Sequence, residues 1–150
     1  MIDRKHPRLK AYDYRTAGAY FITVCCEHRE MWFDSKLPYR EIVDEEIRSF
    51  SLRYAYLEIP KYVIMPNHLH LLMVIDDSVP IEQRKDVPRL VGELKSLSTR
   101  ACRKAGFLKA HLYQSSFYEH IVRTEQDYAE IWQYIDTNPQ KWEEDRYFSR

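Results

Sequence analysis

The stretch "YVIMPNHLHLLMVID", Tyr62 to Asp76, decides the fold and raises the functional question. Two runs rich in Val, Ile, Leu and Met flank Pro66 and Asn67, residues that favour a tight connection. The stretch therefore reads as the end of one strand, a turn, and a second strand from His68 onwards. Side chains alternate faces along a strand. His68 and His70 thus share one face, and Leu69 and Leu71 take the other. Alternate positions on one strand lie roughly 7 Å apart, so two imidazoles can lean together onto one ion with bonds of roughly 2.1 Å. The same pattern also fits two polar residues marking the wet side of a half-buried strand. Leu72, next on the histidine face, argues against a plainly wet surface. Two histidines alone fall short of a coordination shell, so the metal reading needs a further ligand.

Outward from this hairpin the chain reads as one domain spanning residues 1 to 150, with no internal repeat. Before it, "AYFITVCC" (Ala19 to Cys26) is aromatic and β-branched, a strand. "PYREIVDEEIRSFSLRY" spaces Ile42, Val43, Ile47, Phe50 and Tyr54 as one face of a helix. Pro60 marks the strand "YLEIPKYVIM" as an edge or a bulge. After the hairpin, "RLVGELKSLSTRACRKAG" carries Leu90, Leu94, Leu97 and Ala101 on a helical stripe, with Gly106 as its stop. "SSFYEHIVR" is a fourth strand. Thr124 and Asp127 then form a capping pair before a third helix, "EQDYAEIWQYID", which Pro139 ends. The order β-α-β-β-α-β matches the split βαβ plan of a ferredoxin-like sandwich. The expectation is an α+β fold: an antiparallel sheet with helices on one face, and the third helix as an addition.

Composition narrows the function classes. The formal net charge is zero, so no global field draws the chain to nucleic acid, but the charges are unevenly spread. Arg84 to Lys109 holds about eight basic residues against two acidic, and residues 1 to 15 hold about five against two. Such local patches can bind phosphate even when the total is neutral. Only three glycines occur, which excludes phosphate-cradling loops of the GxGxxG type. Cys25, Cys26 and Cys102 form no CxxC pair, so no zinc-ribbon or dithiol redox motif is present. An odd number of thiols fits a reducing cytosol. No run approaches membrane-span length, and the polar opening "MIDRKHPRLK" does not read as a signal peptide.

The third helix offers the missing ligand. Its apolar stripe reads as Tyr128, Ile131, Trp132 and Ile135. At about 100° per residue, Tyr134 lies roughly 110° from the centre of that stripe, in line with Asp127, Glu130 and Asn138. Tyr134 and Asn138 are four apart and hence neighbours. A phenol and an amide oxygen presented together can face two histidines. Equally, they fit a surface tyrosine beside a C-capping asparagine, and local sequence does not choose.

Here a resemblance enters. "MPNHLHLL" resembles the His-hydrophobic-His motif of HUH nucleases. "SFYEHIVRTEQDYAEIWQYIDTNPQKW" resembles the end of single-tyrosine HUH transposases, in particular the REP-associated tyrosine transposases. "GAYFITVCCEHRE" and "LVGELKSLSTR" are similar to the family's first strand and second helix. Together these segments span roughly Arg8 to Tyr147. The resemblance implies the ferredoxin-like fold, His68 and His70 as metal ligands, Asn138 in the place of the third ligand, and Tyr134 as nucleophile on the added helix. It implies magnesium or manganese as the metal. The implied substrate is single-stranded DNA carrying a short hairpin, of a REP-like or element-end sequence. It further implies a monomer or homodimer working in the bacterial cytoplasm at the nucleoid. In dimeric relatives the tyrosine and the histidine pair can come from different chains.

The implied reaction is a transesterification. The tyrosine oxygen attacks a backbone phosphate, becomes joined to the 5′ phosphate and releases a 3′ hydroxyl. No water is consumed, so the step can reverse onto another strand. A free phenol titrates near 10, leaving about 0.1% phenolate at pH 7, so the reaction needs charge stabilisation at the phosphate. DNA holding is expected from Lys95, Arg100, Arg103 and Lys104 on the second helix and its end, through sequence-independent phosphate contacts. The alternative is a non-catalytic module that binds DNA hairpins or RNA on the same fold and keeps a vestigial site. The joint presence of His68, His70, Tyr134 and Asn138 favours the enzyme.

Overall fold

The computed structural model describes residues 11–139. The basic positions before residue 11 and the "QKW" end of the C-terminal motif lie outside these residues. The elements run β1 (Gly18–Cys25), α1 (Tyr39–Phe50), β2 (Leu57–Met65), β3 (His68–Ile75), α2 (Val87–Lys104), β4 (Tyr118–Val122) and α3 (Glu125–Thr137). The sheet order is β2-β3-β1-β4, and every pairing is antiparallel. This is the split βαβ sandwich anticipated from the element order.

The hairpin has the turn that was read from it. Met65 pairs with His68, leaving Pro66 and Asn67 as the connection. Neither has positive φ, which fits a type I turn, where the fixed φ of proline suits the first central position. Asn67 is buried (1% exposed), and its carbonyl accepts the Cys26 amide at 2.9 Å. Pro60 behaves as expected of a residue without an N–H: β2 is an edge strand, and its register breaks between Glu58 and Lys61.

The alternation of β1 divides the core. Tyr20, Ile22 and Val24 pack with Leu69, Leu71 and Met73 beneath α1 and α2. Phe21 and Leu72 pack with Ile131 and Ile135 of α3 on the opposite face. The two helices of the sandwich share one face as expected, and the added helix covers part of the other. Helix α1 buries Tyr39, Val43, Ile47 and Phe50. Helix α2 starts at an Asp86 cap whose carboxylate accepts the Arg89 amide at 2.9 Å. It stops before Gly106 (φ 109°).

The α2 stripe differs from the sequence reading by one position. Ser98 and Cys102 are fully buried, whereas Leu97 and Ala101 are half-buried. Ser98 is tolerated there because its hydroxyl donates to Leu94 O at 2.8 Å and pairs with the Tyr113 hydroxyl at 2.9 Å. Burial pushes the Cys102 thiol up to about 11, and it raises Cys26 and Tyr113 further. These groups are neutral packing elements. Among the described residues no helix is long and apolar enough to cross a membrane.

Candidate active site

Antiparallel partners point to the same face, so the register sets out the face beneath α3. Cys25 pairs with His68, Thr23 with His70, and Phe21 with Leu72. Tyr118 pairs with Thr23 and His120 with Phe21. The face that carries the histidines is therefore the face that α3 crosses. His68 and His70 are fully buried, at 0% exposure each, which removes the reading of two wet-side histidines.

The two rings meet through Nε2, at 3.1 Å. Their outer nitrogens are held from behind: His68 Nδ1 lies 2.8 Å from Asn67 Oδ1, and His70 Nδ1 lies 2.9 Å from Thr23 Oγ1. An amide oxygen only accepts, so His68 carries its proton on Nδ1 and turns a lone pair inward. A hydroxyl both donates and accepts. Thr23 can donate to His70 Nδ1 while His70 Nε2–H bonds His68, or accept from Nδ1–H when His70 also turns its lone pair inward. Phe21 stacks on His70 at 5.3 Å and fixes the ring plane.

These residues fit a divalent cation. An ion about 2.1 Å from two nitrogens that are 3.1 Å apart subtends an angle of about 95°, within the range that octahedral and tetrahedral ions accept. Backing each ligand imidazole with a hydrogen-bonding group is a common feature of metal sites. Asn138, at the C-terminal end of α3, is 4% exposed, and its Oδ1 has no hydrogen-bond partner among the described residues. A buried carboxamide oxygen without a partner costs about 1–3 kcal/mol, a cost that a cation would remove. Among the described residues no group of three or more His, Cys, Asp or Glu side chains is arranged around an ion. Asn138 is the described residue to which the resemblance gives the place of the third ligand.

Tyr134 stands beside this pair. Its ring lies 5.3 Å from that of His70 and 5.9 Å from that of Phe21, edge-on to both. All four sequence-derived site residues thus lie on or beneath α3 within a single chain. The stripe of α3 itself needs correction. Ile131 and Ile135 are buried, but Trp132 is exposed and carries the Lys61 ammonium 5.0 Å above its ring at the sheet edge. Without Trp132 the stripe of Tyr128, Ile131 and Ile135 centres between Ile131 and Ile135, and Tyr134 lies roughly 90° from that centre at about 100° per residue. The tyrosine is half-buried on the flank of the helix and packs against the Phe21, Leu72, Ile131 and Ile135 cluster.

A hydrogen bond and an ion pair tie α3 to the sheet. Near its start, Asp127 Oδ2 meets His120 Nε2 at 2.7 Å. Near its end, Asp136 Oδ1 meets Lys61 Nζ at 2.6 Å. Sequence reasoning used Asp127 only as a capping residue and passed over His120. Its alternation with Tyr118 on β4 was the available signal. Thr23 and Phe21 were likewise missed, because their roles depend on β1 lying beside β3.

The four basic residues predicted to hold DNA divide. Lys95 Nζ donates to Gln114 O at 2.6 Å. Arg103 donates to Lys109 O and Ala110 O at 2.8 Å each. Arg100, Arg103 and Lys104 are exposed and Lys95 is half-buried. Lys95, Arg100 and Arg103 line one groove of about 400 Å³ between α2 and the 110–115 segment, and Lys104 lies outside its lining. The far wall of the groove reaches the sheet: the Gln114 amide donates to Cys25 O at 2.9 Å, and Cys25 is the register partner of His68.

Fold and site together define an α+β domain with a buried histidine pair under a tyrosine-bearing helix. Residues 15–138 match the family described as "Transposase IS200 like", and the chain belongs to that family. It is similar to an uncharacterised Haemophilus influenzae protein, with 30% identity over 97% of this chain and 93% of the relative. A second Haemophilus influenzae protein, provisionally named a REP-associated tyrosine transposase, is 26% identical over 86% of this chain and 74% of its own length. Among solved structures, a REP-associated tyrosine transposase bound to a REP hairpin superposes with a TM-score of 0.69. It is 23% identical and matches over 89% of this chain and 73% of that one. A Deinococcus radiodurans protein provisionally described as a transposase superposes at 0.58, with 20% identity over 87% and 95% of the two chains. At these identities the two structures establish the shared fold.

Proposed function

We propose that the protein cleaves and rejoins single-stranded DNA beside hairpins, with a divalent cation bound and through a tyrosine joined to a 5′ phosphate. The observation that carries this reading is the approach of the Tyr134 ring to within 5.3 Å of His70, whose Nε2 is turned toward that of His68 at 3.1 Å. This arrangement would bring a nucleophile and a cation-binding pair to one point. The similarity to a transposase bound to a REP hairpin supports a hairpin substrate.

His68, His70 and Asn138 would hold the cation, which supplies charge stabilisation at the non-bridging phosphate oxygens when bound. The remaining work falls to the protein. Asn67 and Thr23 hold the imidazoles in the required orientation. Phe21, edge-on to Tyr134 and stacked on His70, keeps the phenol beside the pair. Tyr134 Oη attacks phosphorus, forming the phosphotyrosine bond as the bond to the 3′ oxygen breaks. The phenol proton is lost and the departing 3′ oxygen takes up a proton. The reverse step, with a different 3′ hydroxyl as attacking group, joins a new strand. Lys95, Arg100, Arg103 and Lys104 would supply phosphate contacts.

The test is a denaturing gel after mixing protein, magnesium and a labelled hairpin oligonucleotide. A covalent band in wild type, absent from Tyr134→Phe with hairpin binding retained, is the expected result. Retained attachment in Tyr134→Phe would move the nucleophile elsewhere. Binding without attachment in wild type would favour a non-catalytic hairpin binder.

A further inference from the structure

The turn after β1 departs from ordinary backbone. His28 and Arg29 both have φ of 55°, a left-handed conformation that costs a residue with a Cβ about 1–2 kcal/mol. Strain of this kind persists where the surroundings over-determine the backbone, often at ligand-binding segments. Here the surroundings do so. The Glu27 amide donates to Leu112 O at 3.0 Å, the Arg29 amide donates to Cys26 O at 3.1 Å, and Cys26 bridges to Tyr113.

The turn forms one wall of a second cavity, of about 280 Å³, lined by Glu27, His28, Glu30, Trp32, Lys109 and His111. Ala110 and His111 line both this cavity and the basic groove, so the two adjoin. Arg103 clamps the shared wall through Lys109 O and Ala110 O. Trp32 is half-buried, and its ring is fixed by edge contacts to Phe107 at 5.0 Å and Tyr39 at 6.1 Å. The cavity thus offers a rigid aromatic surface at little further entropic cost.

The two cavities differ in chemistry, the second setting the carboxylates of Glu27 and Glu30 beside Lys109, His28 and His111. Lys95, Arg100 and Arg103 suit phosphate. Glu27 and Glu30 repel phosphate, but a carboxylate accepts hydrogen bonds from the exocyclic amine of a base. An aromatic face suits the flat surface of any unpaired base. We propose that the cavity at Glu27, Glu30 and Trp32 binds one unpaired, amino-bearing nucleobase of single-stranded DNA, whose neighbouring phosphate lies against Arg100 and Arg103. This rests on the strand-transfer reading for its substrate class and adds a base-reading subsite outside the reacting centre.

The experiment is binding and adduct formation with a hairpin oligonucleotide carrying a single-stranded flank, made abasic one position at a time. Wild type should show one position where base removal weakens binding about tenfold, the scale of one stacked base. The double variant Glu27→Gln/Glu30→Gln, changed at partly exposed and exposed positions, and separately Trp32→Leu, should reduce that penalty to about twofold or less. A flat abasic profile in a wild type that still forms the adduct overturns the subsite alone. So does a penalty unchanged in both variants. Failure of wild type to bind hairpin DNA overturns the subsite and the strand-transfer reading together.

Discussion

Thr23 Oγ1 lies 2.9 Å from His70 Nδ1, and of the two groups behind the histidine pair it is the one that can reverse its hydrogen bond. Asn67 Oδ1 can only accept from His68. The pair therefore has one imidazole fixed in the tautomer a cation requires and one that reaches it by a turn of a hydroxyl.

Thr23→Val keeps shape and removes that reversal. Manganese affinity, measured by titration calorimetry without DNA, should fall about 10- to 100-fold, the range for lost groups behind metal ligands. His68→Ala and His70→Ala should abolish measurable manganese binding and adduct formation, with the fold retained by circular dichroism. Unchanged manganese affinity in Thr23→Val would remove it from the site's support.

On α3, substitution should separate the two large apolar residues that sequence periodicity placed together. Ile131 is buried, at 1% exposed, and Trp132 is 37% exposed. Ile131→Ala should cost about 2–5 kcal/mol in urea unfolding. Trp132→Ala should cost about 1 kcal/mol, mostly the lost ring contact with Lys61. Equal costs would restore Trp132 to the buried stripe.

Arg100 is an exposed cation in the basic groove, as Arg103 is. The logarithm of affinity for single-stranded DNA should fall with log salt by about 0.7 per phosphate contact. Arg100→Ala should make the slope shallower by roughly that amount and weaken all sequences alike. An unchanged slope would take Arg100 off the DNA path.

Stability should fall at alkaline pH. Burial raises the folded-state values of Cys26 and Cys102 above their usual 9.0, and of Tyr20, Tyr62 and Tyr113 above 10.0. The unfolded chain then loses protons that the folded chain keeps, and this disfavours folding. The stabilisation is complete below about pH 9 and declines as pH rises towards 11, the folded value of Cys102, and beyond. Urea midpoints between pH 7 and 11 measure it. A flat profile would contradict the burial of these groups.

Much of this fold is legible in sequence because its signals are local. The turn at Pro66 and Asn67, the Pro60 irregularity, the Thr124 cap and the alternation of the two histidines each depend on a few neighbouring residues. The reactive set was legible through a resemblance spread over the chain, since its members lie on β3 and α3. What escaped was contact across elements. Thr23 and Phe21 matter because β1 lies beside β3, and His120 because Asp127 folds back over it. Periodicity misjudged Trp132 by counting it as core on apolarity, whereas Leu97 packs half-buried against the core. Periodicity passed over Ser98, whose burial depends on the Tyr113 hydroxyl reaching it from another segment.

Asn67 ends the β2–β3 turn, receives the Cys26 amide on its carbonyl and holds His68 through its side chain. A slip of one residue in this hairpin would send both imidazoles to the side facing α1 and α2, away from Tyr134. On the strand-transfer reading, misassembled copies of such a chain would therefore be inert.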